Sequence, residues 1–156
     1  MSLKKVAINK NVPINTRNAL CYPISIGIFG KRDNTIQFDE ELGAGTKWGS
    51  GEESDYILQL LKHKKKILYV PSILVYHPYI NVPTKEYINK TYRYGQGYGA
   101  LIKKALKRKQ IGVLVDLFSI VIHSIGGVVF YTIRGNSKKN IYLNRIKGII
   151  NGLSKA

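Results

Sequence analysis

Seven of the nine acidic residues of this 156-residue chain, Asp33, Asp39, Glu40, Glu41, Glu52, Glu53 and Asp55, lie within positions 33–55, although the formal net charge of the whole is +16. Carboxylates gathered this closely can accept protons, hold a cation or sit at the positive end of a helix. Gly43, Gly45, Gly49 and Gly51 thin out the side chains of the loop between the acids, and Trp48, the only tryptophan, stands in their midst. His77 follows at the end of an apolar run.

Periodicity and turn chemistry give the elements that must position these residues. Residues 24–29 read as a buried strand between Pro23 and the turn-like run Gly30-Lys31-Arg32-Asp33-Asn34, and 36–38 as a short extended piece. Positions 38–50 lack periodicity and read as an ordered loop. Ser50 is placed to cap a helix that has Glu52 and Glu53 in its first turn, Ile57, Leu58, Leu60 and Leu61 as its apolar face, and an end near His63. Two strand-like runs, 67–70 and 73–76, meet at Pro71-Ser72.

After Pro83 the pattern becomes helical, with Thr84 starting a long helix that runs toward Lys109. Gly95-Gln96-Gly97-Tyr98-Gly99 falls inside it with no strand leading in, so these glycines predict close helix packing rather than a nucleotide-binding loop. Residues 111–133 are largely apolar, interrupted by Asp116, His123 and Gly126-Gly127. A last amphipathic helix carries Ile141, Ile146, Ile149, Ile150 and Leu153.

A hydrophobic fraction of 44% is that of a globular chain and excludes a disordered one. The single Cys21 leaves no intrachain disulfide and no multi-cysteine zinc site, and is expected as a small buried hydrophobe in a reducing compartment. The charge calls for an anionic partner. The run Lys62-His63-Lys64-Lys65-Lys66 reads as a solvated helix end, whereas Lys103, Lys104, Lys107, Arg108 and Lys109 directly precede the apolar stretch.

The stretch 24–78 resembles the C-terminal half of the catalytic domain in the family 2 glycosyltransferases, which have the GT-A fold. The residues that carry the likeness are Phe38-Asp39-Glu40 with Leu42-Gly43, then Trp48-Gly49-Ser50-Gly51-Glu52-Glu53-Ser54-Asp55, then Tyr69-Val70-Pro71 and Val75-Tyr76-His77. The resemblance implies an α/β fold, a partial GT-A-type mixed sheet over 1–83 with a helical extension over 84–156. It also implies an inverting sugar transfer from a nucleotide-sugar donor to a sugar or lipid-linked acceptor, in cell-surface polysaccharide synthesis. Such a transfer needs a carboxylate to take the proton of the attacking hydroxyl. Glu53 matches the family's base, with Glu52 as the fallback. Asp55, Asp39, Gly49 and Gly51 are implied on the substrate side, and Trp48 as an aromatic wall for a sugar ring.

His77 matches a histidine that in several family members binds the divalent cation, Mn or Mg, holding the donor diphosphate. The family's Asp-x-Asp motif is absent, and too little chain stands before Ile24 to hold the nucleotide-binding strands. The expectation is therefore an acceptor-side piece that does not turn over alone. Residues 92–153 resemble the tail of bacterial polysaccharide-building members. Cations flank 111–133 on both sides, including Arg134, Lys138 and Lys139 after it, which predicts an in-plane helix or shallow hairpin, peripheral at the cytoplasmic face of an anionic membrane. A nucleic-acid-binding protein is the weaker expectation: Tyr92, Tyr94 and Tyr98 stand near Lys103 and Lys104, but a groove needs such residues along one continuous face. A noncatalytic membrane-associated module is the third.

Overall fold

The acids at its start and Lys62 at its end suit the dipole of helix α1 (Glu52–Lys62). In the computed structural model, which describes residues 10–22, 27–31, 35–76 and 84–156, Ile57 and Leu58 of this helix are buried, with Leu60 and Leu61 packed beside them. Gly51, rather than Ser50, stands at the helix entrance, in a left-handed conformation with φ of 102° and no side-chain cap. The Ser50 hydroxyl instead donates to the carbonyl oxygen of Tyr94 (3.2 Å). At the other end Lys64 turns to φ of 58°, and the basic run 62–66 is exposed.

Strand β1 (Val12–Pro13) pairs antiparallel with β2 (Leu68–Tyr69), Val12 opposite Tyr69 and Pro13 opposite Leu68. The rings of Tyr22 and Tyr69 meet there at 4.6 Å. Three helices follow: α2 (Thr84–Lys107), α3 (Val113–Ile133) and α4 (Lys139–Lys155). One core draws on both parts of the chain, joining Ile14, Ala19, Ile57 and Leu58 to Leu101, Ile102, Ala105 and Val113.

Helices α2 and α4 run parallel in backbone contact. A methyl group at Gly95 would overlap the Arg145 carbonyl, and one at Gly99 that of Ile149; from the other side, Gly148 lies on Tyr92 and Gly152 on Gln96. Two glycine pairs four residues apart thus face each other, a spacing that lets helix backbones approach closely. Gln96 Nε2 donates to Asn151 Oδ1 (2.9 Å) and Lys103 Nζ to the Ser154 carbonyl (3.1 Å) along the same seam.

The expected mixed α/β sheet is not present: among the described residues the fold is four helices with one two-stranded ladder. Residues 36–38 are loop, and 73–76 are an exposed segment outside any ladder. The reason is the non-locality of sheets. A strand's N–H and C=O groups are satisfied only by a neighbouring strand, whereas a helix satisfies its own. Residues 24–26 and His77 lie outside the described residues. Cys21 is exposed rather than buried, its thiol donating to Asp116 Oδ1 (3.3 Å).

Candidate functional site

The loop before α1 is held on α2, which fixes the start of the helix. Ser50 lies so close to Gly97 that a side chain at Gly97 would overlap it. Gly49, with φ of 77°, sits against Arg93, whose guanidinium donates to the Thr46 carbonyl (3.0 Å). The positive φ of Gly49 and Gly51 is what a left-handed loop conformation needs.

Within this frame the acids divide. Asp55 is fully buried: Arg108 donates to its Oδ1 and Gln59 to its Oδ2 (2.7 Å). Arg108 also donates to Gln110, and Gln110 donates to the Leu58 carbonyl (2.7 Å). This network ties α1 to the turn after α2, so Asp55 holds the fold together instead of facing a substrate. Asp39 and Glu41 share Lys104, at 2.6 and 2.8 Å. Burial works against charge on Lys104, but its bonds to the two carboxylates outweigh this and raise its pKa; Lys104, helped by Lys47, holds the Glu41 carboxyl below its usual range.

Glu52 and Glu53 remain half-exposed in the first turn of α1. The Glu52 carboxylate lies over Gly43, where an added methyl would come within 3.1 Å of it. Tyr56 is three residues beyond Glu53, on the same helical face, and its ring stacks on Phe38 at 4.6 Å. Phe38 is exposed. The structure therefore puts Phe38 and Tyr56 beside the two glutamates.

Trp48 does not do what the sequence suggested. It is 4% exposed, packed with Leu42 and Ala100, and its indole N–H is buried without a hydrogen-bond partner. A ring so enclosed offers no face to a sugar.

Among the described residues no three His, Cys, Asp or Glu side chains stand together as metal ligands. Asp39 and Asp55 are engaged by Lys104 and Arg108, so these two carboxylates are not free to ligate a cation.

The second feature is α3. Val115, Phe118, Ile122, Ile125, Val129 and Ile133 are all exposed and recur at three- and four-residue steps, forming one apolar stripe along the helix, which exposed Ile111 just before it extends. Its opposite side buries Val113, Asp116 and Ser124. At the basic end, Lys107 and Lys109 are exposed, whereas Lys104 and Arg108 are ion-paired; Arg134 and Lys138 are exposed at the other end. No family model, curated protein or solved structure matches the chain.

Proposed function

We propose that this chain docks on an anionic membrane surface, at its cytoplasmic face, as the acceptor-side part of a nucleotide-sugar-dependent inverting glycosyltransferase of polysaccharide synthesis. The observation that carries the reading is the unbroken apolar stripe of α3, on a helix of 21 residues that is long and apolar enough to reach across a membrane. An exposed face of this size on a chain of charge +16 suits a surface that is apolar beneath and negative above. In-plane docking is favoured over spanning because α4 packs on α3 and carries Lys139, Arg145 and Lys147; a spanning α3 would draw these cations into hydrocarbon.

The catalytic part of the reading rests on the ordered motifs around α1 and on the half-exposed pair Glu52 and Glu53 beside an aromatic surface. Glu53 takes the proton of the acceptor hydroxyl, and the Phe38 and Tyr56 rings supply the flat surface on which a sugar packs.

Flotation of the purified chain with phosphatidylglycerol or phosphatidylcholine vesicles, over a salt series, tests the docking. Binding is expected only with the anionic lipid. Replacing Lys107, Lys109, Arg134 and Lys138 by Gln should release the chain, since each surface cation contributes about 1 kcal/mol. A monodisperse chain that ignores anionic vesicles overturns the membrane reading, and nucleotide-sugar transfer assayed with the chain joined to a donor-binding half separates an enzyme part from a noncatalytic module.

A further inference from the structure

Between α3 and α4 lies a cleft of about 380 Å³, lined by His123, Gly126, Gly127, Phe130, Tyr131 and Tyr142. Its two glycines have different reasons to be there. Gly127 lies under the Tyr142 ring, which an added methyl would strike, so the packing of α4 requires it. Gly126 faces open space, with no atom within 4 Å of where a side chain would begin. A glycine in a helix interior is disfavoured relative to alanine, and no contact among the described residues accounts for this one. What it leaves is the open floor of the cleft.

The walls are aromatic. Tyr131 stacks on Tyr142 at 5.7 Å, and His123 tilts against the same ring at 5.9 Å. Cations mark the rim: the Arg134 guanidinium lies 4.2 Å from the Phe130 ring and that of Arg145 lies 5.8 Å from the Tyr142 ring. From 117 to 156 the chain has no acidic residue, while Arg134, Lys138, Lys139, Arg145, Lys147 and Lys155 are all basic. On a helical projection of about 100° per residue, Gly126 and Phe130 adjoin the exposed stripe, so the cleft opens beside the apolar face.

We propose that this cleft binds a single amphiphile with an anionic head group, its apolar chain between the aromatic walls over Gly126 and its head at Arg134 and Arg145. Apolar walls alone would accept any chain; the acid-free, basic surroundings select a negative head. The occupant can be a lipid of the bilayer or a free phosphorylated amphiphile, and the two sources share this chemistry.

The test is titration of the full chain with dodecyl phosphate below its micelle concentration, with dodecyl maltoside and inorganic phosphate in parallel. Calorimetry gives the stoichiometry, and the ring proton signals of His63, His77 and His123 locate the site. Saturable binding that moves His123 alone is expected for dodecyl phosphate. Gly126→Leu, which gains helix propensity and whose Cβ has open space, should weaken it about tenfold or more by filling the cleft, and Arg145→Gln should weaken it less. Equal binding of the maltoside, equal binding of inorganic phosphate, or binding untouched by Gly126→Leu would each overturn the proposal. A His123 shift in phosphatidylglycerol nanodiscs identifies a bilayer lipid as the source, and one seen only with free dodecyl phosphate identifies a soluble one; both support the cleft. Gly126→Leu leaves the exposed stripe intact, so vesicle flotation reports separately on membrane docking.

Discussion

Arg108, one residue beyond the end of α2, donates to the Asp55 carboxylate, which is wholly buried in the first turns of α1. The acid cluster and the basic run are thereby partly one structure: an acid from the first neutralises a cation from the second. Removing one partner of a buried pair costs about 3–5 kcal/mol because the other charge is left uncompensated. Asp55→Ala should therefore unfold at much lower denaturant, and Arg108→Gln similarly. The double variant should be less destabilised than the sum of the two, as read from a urea double-mutant cycle. Additive effects would show that the pair does not couple.

Glu53 calls for the opposite outcome. It lies at the half-exposed start of α1, where its charge suits the helix dipole, so Glu53→Gln, which keeps the side chain's size and hydrogen-bonding oxygen, should cost only about 1 kcal/mol or less in urea. Sugar transfer, assayed with the chain joined to a donor-binding half, should nevertheless fall about a hundredfold or more, the scale of a lost general base. If Glu52→Gln abolishes transfer and Glu53→Gln does not, the roles of the two residues are exchanged.

The helices were legible because their signals are local. Acids in the first turn, apolar residues at three- and four-residue steps and the glycine pair Gly95 and Gly99 are all contained within the elements they specify. The matching pair Gly148 and Gly152 carries the same spacing and would have identified the partner helix. The sheet was misjudged because 73–76 has strand-type residues, and composition alone does not provide a neighbouring strand. The roles of Asp55 and Trp48 depended on Arg108 and Ala100, about fifty residues away, which motif spacing does not reveal.

Asp116 gives a pH-dependent prediction. Its Oδ2 is buried without a hydrogen-bond partner, and burial raises its pKa from the ordinary 3.8, against the lowering effect of the bond from Cys21. Although Cys21 is exposed as a residue, its sulfur is turned inward onto Asp116, and this desolvation, then the charge of Asp116, push the thiol up to about 11. For an acid with a raised folded pKa, the penalty is full above that pKa and fades as pH falls through it. Asp116→Asn, which keeps a polar atom there but removes the buried charge, should therefore gain stability relative to the parent at neutral pH. The advantage should shrink on acidification and vanish below 3.8, as read from paired denaturation curves across that range. A gap that stays constant with pH would show that charge on Asp116 is not its source.

The orientation of α3 yields a prediction about depth. With 21 residues at about 1.5 Å each, the helix is roughly as long as the hydrocarbon core is thick, so length permits either orientation. Labels at Val115, Ile122 and Val129 lie on one stripe and sample most of the helix. If α3 rests in the plane of the leaflet, lipid-borne quenchers at shallow depth should affect all three labels about equally. A spanning helix would give a progression, with Ile122 deepest and the outer two near opposite surfaces. The sides also differ. Val113 and Ser124 are buried within the protein, so a label at neither position should report lipid when the helix lies in-plane, whereas spanning would require that side to leave its packing. Ile122→Asp introduces a charge at the centre of the stripe and should weaken vesicle binding without lowering thermal stability, because Ile122 is already exposed in the folded chain. Unchanged flotation of Ile122→Asp would mean that the stripe is not the surface that meets the membrane.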